Sequence, residues 1–199
     1  MTATALASDQ QTIFIALEDS TGLPVMVKTT LADLSIFETV YTPGAGFAAN
    51  VIAAPNGIMY FYGNFGTNVG IIQHDVVAET NTDVTPASLG TDDINALDVD
   101  PDLGQIIFIG ISGVQDLKKS LNAGTSWASV NAALGIDPTA LLVLWPDANK
   151  LLIAGSTGAQ NRLLYSDDGG ANFDDEAGTA LHGADNSVAL AVVNGEADA

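Results

Sequence analysis

The chain has 199 residues, of which 47% are hydrophobic and 15% are charged, with 24 acidic residues, 5 basic residues and no cysteine. The apolar fraction is large enough for a core and excludes wholesale disorder. A formal net charge of −19 excludes binding to nucleic-acid backbones, which requires lysine and arginine, and argues against docking on anionic lipid. The absence of cysteine excludes disulfides, thiolate metal ligands and cysteine nucleophiles.

No targeting or membrane-spanning segment is visible in the sequence. The first eleven residues lack the basic region and the long apolar region of a signal peptide. No stretch of about 18 apolar residues occurs, and the apolar run Ala140 to Trp145 stops at Pro146. The sequence therefore predicts a chain that does not insert into a membrane.

Apolar, β-prone runs recur at a nearly constant interval. One set ends in small residues that lie 47, 47 and 45 residues apart: Ala16, Gly63, Gly110 and Gly155. A second set lies upstream and ends in prolines 46 and 45 residues apart: Pro55, Pro101 and Pro146. Two independent landmarks with a shared period indicate an internal repeat.

Each repeat is predicted to contain four strands separated by turns rich in Gly, Pro, Asn and Asp. The second strands are the runs that end in the small residues above, and the first strands are predicted at Asn50–Ala54, Ile94–Val99 and Ala140–Trp145. The third strands are predicted at Val25–Thr29, Val69–Gln73, Leu117–Ser120 and Arg162–Ser166, each followed by a short fourth strand. No window has the periodicity of a helix. Four strands in about 40 to 50 residues are typical of one blade of a β-propeller.

The sequence thus predicts a single all-β domain over residues 1–199, with repeats at about 4–46, 47–91, 92–137 and 138–180. A partial fifth repeat at 181–199 is predicted because Ser187–Val193 is similar to a first strand. Three arrangements stay open: a four-bladed ring with an extra strand, a partial propeller completed by another copy, and a chain that continues beyond residue 199.

The turn between the third and fourth strands carries a motif in two repeats. Residues 120–127 (SLNAGTSW) and 166–173 (SDDGGANF) both fit S-x-[DN]-x-G-x-[STN]-[FW] and begin 46 residues apart. This motif resembles the Asp-box, or BNR repeat, of sialidase-like and sortilin-like β-propellers. The matching residues are Ser120, Asn122, Gly124, Trp127, Ser166, Asp168, Gly170 and Phe173.

Each part of the motif has an expected structural role. The Asp or Asn side chain can cap N–H groups of its own turn, and the glycine can adopt a backbone conformation that is costly for other residues. The aromatic ring is expected to pack between neighbouring sheets. The corresponding turns of the first two repeats, at Thr29–Ala32 and His74–Val77, lack the glycine and the aromatic residue.

The sequence offers little for the chemistry of sialidases or related hydrolases. Sialidases hold the substrate carboxylate with three arginines, whereas this chain has only Arg162. The candidate tyrosine nucleophiles are Tyr41, Tyr60, Tyr62 and Tyr165. The acidic pairs Asp92–Asp93, Asp167–Asp168 and Asp174–Asp175 lie in predicted turns or links, where capping and solvation explain them. The two histidines, His74 and His182, match no metalloprotease or catalytic-triad pattern.

One acidic run is a candidate metal site. Asp98, Asp100 and Asp102 resemble the opening of a calcium loop, but Pro101 interrupts the run and Ile109 stands where the closing Glu is required. The run coincides with the turn between a first and a second strand, so the sequence favours a structural turn over a metal site. No glycine-rich stretch has the spacing of a nucleotide-binding loop, and no cofactor is predicted.

By elimination, the sequence predicts a non-enzymatic structural or binding propeller that acts through contacts with other proteins or with copies of itself. The acidic, alanine-rich, cysteine-free composition resembles that of virion proteins of tailed bacteriophages. This resemblance implies a decoration, tail-associated or host-attachment protein, cytoplasmic before assembly and later in a virion or extracellular, with a host-surface glycan as a further candidate partner. One alternative is a carbohydrate-binding or glycoside-hydrolase-type propeller fragment. Another is a scaffold similar to the photosystem II assembly factor. That family has a basic patch, which the five basic residues of this chain could hardly form.

Overall fold

The computed structural model describes residues 3–7, 9–43, 47–64, 69–89, 92–144 and 148–175. Within these ranges the chain forms sixteen strands in four antiparallel sheets. The first sheet contains β1 (Ala3–Leu6), β2 (Thr12–Glu18), β3 (Pro24–Thr30) and β4 (Asp33–Tyr41), and the second contains β5 (Phe47–Ala53), β6 (Ile58–Asn64), β7 (Val69–Asp75) and β8 (Thr80–Asp83). The third contains β9 (Ile94–Val99), β10 (Ile107–Ile111), β11 (Asp116–Ser120) and β12 (Ala128–Asn131), and the fourth contains β13 (Asp137–Val143), β14 (Leu151–Ser156), β15 (Asn161–Ser166) and β16 (Asp174–Asp175).

Every sheet is a meander in which strands pair in chain order. Short polar side chains satisfy the backbone in the connecting turns. Asp19 Oδ1, for example, accepts the N–H groups of Thr21 and Leu23 between β2 and β3. The prediction of an all-β chain with four four-stranded sheets is confirmed. Among the described residues, no helix is long and apolar enough to cross a membrane.

Three apolar cores lie between consecutive sheets. Successive side chains of a strand point to opposite faces, so one strand can supply two cores. In β10, Ile107 and Ile109 pack into the core shared with the second sheet, whereas Phe108 packs into the core shared with the fourth. All three side chains are fully buried. The continuous apolar run in this repeat is therefore a strand that is covered on both faces.

Each sheet has a forward face, turned toward the next sheet along the chain, and a backward face, turned toward the preceding one. The main contacts between sheets join consecutive sheets: β1 and β2 contact β5, β6 contacts β9, and β9 and β10 contact β13. Within the described ranges, two faces therefore have no neighbouring sheet. They are the backward face of the first sheet and the forward face of the fourth. The predicted fifth repeat lies outside the described residues.

The structural repeat differs slightly from the spacing of small residues in the sequence. Ala16, Tyr62 and Gly110 lie on the forward faces of their sheets, against the next sheet along the chain. Gly63 and Gly155 each come one residue later than the equivalent position, next to shifts in the pairing of β6 with β5 and of β14 with β13. In both places the extra residue lies in the first strand, Ala48 in β5 and Thr139 in β13, so the shift does not move the glycine on the second strand. Counting glycines alone therefore misplaces the structural repeat by one residue.

Candidate functional site

The first motif hairpin joins β11 to β12 and is held by its own side chains. Ser120 Oγ accepts the N–H of Gly124 at 2.8 Å. Asn122 Oδ1 accepts the N–H of Ser126 at 2.8 Å and the hydroxyl proton of Ser120 at 3.0 Å. These side chains satisfy the backbone of the turn.

The second motif hairpin joins β15 to β16 and repeats these bonds. Ser166 Oγ accepts the N–H of Gly170 at 3.0 Å, and Asp168 Oδ1 accepts the N–H of Asn172 at 2.9 Å. The hydrogen bonds from the backbone and side chain of Asn172, followed by the one from Ser166, lower the pKa of Asp168 to about 2. The carboxylate therefore caps the turn in its charged form over most of the pH range.

The glycines of the two hairpins combine a positive φ with close packing. Gly124 has φ +88°, and a Cβ there would lie 2.7 Å from Cβ of Val84, which directly follows β8 of the second sheet. Gly170 has φ +92°, and a Cβ there would lie 2.6 Å from Cδ2 of Leu117 in the third sheet. Glycine is required at both places for its backbone conformation and its size.

The aromatic residues of the hairpins reach back to the preceding sheet. The indole N–H of Trp127 donates to the carbonyl oxygen of Val84 at 2.8 Å, and the ring packs on the core between the second and third sheets. Phe173 packs on the core between the third and fourth sheets. The assignment of the hairpins to the Asp-box family stays a prediction, since no comparison tests it.

The corresponding turns of the first and second sheets use different residues. Thr29 and His74 stand at the register of Ser120 and Ser166, and all four side chains are buried. Thr29 Oγ1 donates to the carbonyl oxygen of Asp33 at 3.0 Å. The first and second turns thus keep a buried polar residue at the start but lack the motif glycine.

The structure corrects one expectation about the first repeat. An aromatic residue, Phe37, stands on β4 at the register of Trp127 and Phe173. The hairpin from Thr29 to Phe37 is one residue longer than the one from Ser120 to Trp127. A search with the fixed spacing of the motif therefore does not find Phe37.

His74 is buried between the first and second sheets. Its ring lies 5.5 Å from that of Phe14 and 6.5 Å from that of Phe61. Its Nδ1 lies 3.0 Å from Oδ1 of Asn81, whereas its buried Nε2 has no hydrogen-bond partner. Burial is the main cause that lowers the pKa of His74 below its usual value. His74 is therefore a neutral packing residue in an aromatic core, and its burial makes the stability of the fold depend on pH.

The three carboxylates of the candidate metal site do not converge. Asp98 Oδ2 accepts the N–H of Val143 at 2.7 Å and so ties β9 to β13 of the next sheet. Asp100 accepts the N–H groups of Asp102 and Leu103 within its own turn. Among the described residues, no group of three or more potential ligands is placed to hold a metal ion. The region is a structural turn beside a buried, sheet-linking acid.

Burial raises the pKa of Asp98 to about 6, although the two N–H groups that it accepts oppose the rise. Burial also raises the pKa values of Tyr60 and Tyr62 to about 12, and the charge of Asp98 adds to the effect on Tyr62. These tyrosines are therefore poor nucleophiles near neutral pH.

The remaining sequence candidates are spread over separate elements. Arg162 pairs with Asp175 at 3.0 Å. Asp92 and Asp93 precede β9, and Asp167 and Asp168 lie in the second motif hairpin. His182 lies outside the described residues.

Two surface features are candidates for binding. A shallow depression of about 520 Å³ lies over Trp127 and is also lined by Gln73, Thr82 and Asp83. The backward face of the first sheet is apolar, and Leu6 and Phe37 on this face are 47% and 55% exposed. Alternation in the paired strands places further apolar side chains on the same face: Ile13, Ile15, Leu17 and Val25.

No family model matches the chain, and no curated protein matches it in sequence. Solved structures do resemble it. The GH74 xyloglucanase from Xanthomonas campestris has a TM-score of 0.59 at 15% identity, over 80% of this chain and 26% of that one. TolB from Acinetobacter baumannii has a TM-score of 0.58 at 14% identity, over 87% of this chain and 42% of that one. A chain of a nidogen/laminin complex has a TM-score of 0.59 at 14% identity, over 87% of this chain and 60% of that one.

The xyloglucanase and TolB structures are β-propellers. The chain is a partial β-propeller. It spans less than two thirds of the length of each of these three structures, and at such low identity the likeness establishes the fold alone.

Proposed function

We propose that the chain is a non-enzymatic binding module that acts through protein contacts in a larger assembly. The observation that carries the proposal is the apolar backward face of the first sheet, where Leu6 and Phe37 are about half exposed. Apolar side chains gathered on one exposed face are typical of an interaction site. The similar chain in a nidogen/laminin complex provides an example of the same fold in a protein–protein complex.

The use of the acidic side chains supports a non-enzymatic role. Asp19, Asp100 and Asp168 accept N–H groups of their own turns, and Asp98 accepts a backbone N–H of the neighbouring sheet. General acid–base catalysis requires carboxylates that face a substrate site. These four carboxylates are engaged in structural hydrogen bonds instead.

We propose a virion of a tailed bacteriophage as the assembly, on the basis of the acidic, cysteine-free composition. The test is sedimentation of the native chain, extracted from its source and detected with an antibody. We expect it in particles far heavier than its own 20.4 kDa. A native chain found only at the mass of a free monomer would contradict the proposal.

A carbohydrate-binding module is the second candidate, and the depression over Trp127 favours it. An indole ring beside amide and hydroxyl groups is a common surface for sugars, and one structural neighbour is a xyloglucanase. Titration with xyloglucan oligosaccharides tests it by tryptophan fluorescence. A saturable change in the fluorescence of the wild-type chain that is lost in Trp127→Phe would support the second candidate. Wild-type fluorescence that does not change on titration would eliminate the second candidate.

A further inference from the structure

One position in each sheet is built to reach the preceding sheet. The position lies on or directly before the fourth strand of the sheet. The residue after it pairs with a residue of the third strand, and that residue pairs in turn with a forward-facing residue of the second strand. In the third sheet, Phe108 pairs with Lys119 and Lys119 with Ala128, so the position is Trp127. The same register gives Phe37, Asn81 and Phe173 in the first, second and fourth sheets. We call these four residues the reach-back positions.

Three reach-back residues make the expected contact. The Asn81 amide donates to the carbonyl oxygen of Val40 in the first sheet at 3.0 Å. The Trp127 indole donates to the carbonyl oxygen of Val84 in the second sheet at 2.8 Å. Phe173 packs on the core between the third and fourth sheets. The position therefore joins one sheet to the one before it.

Phe37 stands at this position in the first sheet, which no described sheet precedes. Phe37 is 55% exposed, and the apolar backward face around it contains Ile13, Ile15 and Leu17. The residues paired with these on β1 and β3 are Thr4, Leu6, Val25, Val27 and Thr29, none of which is charged. This face is therefore apolar and uncharged across β1, β2 and β3.

The complementary surface is at the other end of the same chain. Leu151 and Ile153 of β14 pack backward into the core with the third sheet, so Leu152 between them lies on the forward face of the fourth sheet. Leu142 and Tyr165 pair with Leu152 and share that face. All three side chains are only partly buried. One chain thus carries both halves of the interface that recurs between its sheets.

We propose that the backward face of the first sheet binds the forward face of the fourth sheet of a second copy. Two copies joined in this way twice would form a closed ring of eight sheets, within the range of four to eight blades known for propellers. The inference rests on the proposed function, because it names the partner for the same apolar face. The negative charge of −19 on each copy opposes association, so salt should strengthen it.

The test is sedimentation equilibrium of the purified chain in 0.5 M NaCl. We expect a species of twice 20.4 kDa. Phe37→Glu should weaken the dimer by roughly 30-fold or more, the factor that corresponds to about 2 kcal/mol for loss of an anchoring side chain. Val77→Glu is the matched control, since Val77 is 90% exposed and lies in a turn of the second sheet, so this variant should stay dimeric.

Variants of the fourth sheet separate this pairing from others. Tyr165→Glu should also dissociate the dimer, with Leu152→Glu as the substitute if Tyr165→Glu loses the circular dichroism spectrum of the folded chain. A mixture of Phe37→Glu and Tyr165→Glu chains should form a one-to-one dimer through the single intact interface. A dimer that survives both fourth-sheet substitutions would overturn the proposal, because two first sheets would then be paired with each other. A purified chain that is monomeric at every salt concentration would also overturn it, whereas the proposed function would still stand if the native chain sediments with a particle.

Discussion

Replacement of Asp98 by Asn should change how the stability of the fold depends on pH. The carboxyl of Asp98 is buried between the third and fourth sheets, and burial raises its pKa from 3.8 to about 6. A raised carboxyl pKa means that the folded state prefers the protonated form. Its contribution to stability is therefore complete below pH 3.8 and is lost as the pH rises through about 6. The difference between the two pKa values corresponds to a loss of about 3 kcal/mol at 1.36 kcal/mol per pH unit.

The Asn side chain imitates the protonated acid, because its carbonyl oxygen can still accept the N–H of Val143, yet it does not titrate. The free energy of unfolding, measured by urea titration at pH 4, 5, 6, 7 and 8, should fall in the wild type relative to Asp98→Asn by about 2.5 kcal/mol over this range, because a small part of the loss has already occurred at pH 4. Asp168→Asn is the control whose difference from the wild type should stay nearly constant over this range, since the pKa of Asp168 is lowered and its contribution is lost only on acidification below about pH 4, toward pH 2. If the free energies of unfolding of the wild type and Asp98→Asn differ by a constant amount from pH 4 to 8, the reasoning is refuted.

Three further predictions concern packing and protonation. Phe108→Ala should lower the free energy of unfolding by about 3 to 5 kcal/mol, because the ring is fully buried. Val77→Ala is the control: Val77 lies in an exposed turn, so this variant should change the free energy of unfolding by less than about 0.5 kcal/mol in the same urea titration. Gly170→Ala should lower the melting temperature clearly more than Gly158→Ala. Both positions have positive φ, but only a Cβ at residue 170 would lie against Leu117. Equal effects of the two substitutions would show that this contact does not matter. Relative to His74→Phe, the wild type should lose stability as the pH drops below about 6.5, because folding keeps His74 neutral while the unfolded chain is protonated. The charged groups that also act on the pKa of His74 are Lys28, Glu79 and Asp75. A profile measured in Lys28→Met separates the titration of His74 from the effect of Lys28, since a slope that remains there and disappears only in His74→Phe belongs to the histidine.

The number and type of strands could be predicted from the sequence because each repeat buries a continuous apolar run between turns of Asp, Asn and Gly. Ile107, Phe108 and Ile109 illustrate this: a strand covered on both faces has no polar alternation, and its length alone distinguishes it. The motif hairpins were equally visible, since their hydrogen bonds join residues no more than four apart.

Features that depend on long-range pairing could not be predicted. The equivalent positions of the first three sheets, Ala16, Tyr62 and Gly110, are defined by packing against the next sheet, which the spacing of small residues does not record. Asp98 looked like part of a turn, but its partner is Val143, 45 residues away on the next sheet. Phe37 was missed because its hairpin is one residue longer than the motif allows.

The separation of the interior into three cores affects how such a chain can change in evolution. Each core is shared by only two sheets, so gain or loss of a whole repeat alters one boundary and leaves the other side-chain environments as they were. Duplication can therefore lengthen this architecture in steps of about 46 residues without redesign of the existing interior. Single-residue insertions within a strand are far more disruptive, because they exchange the contents of two adjacent cores at once.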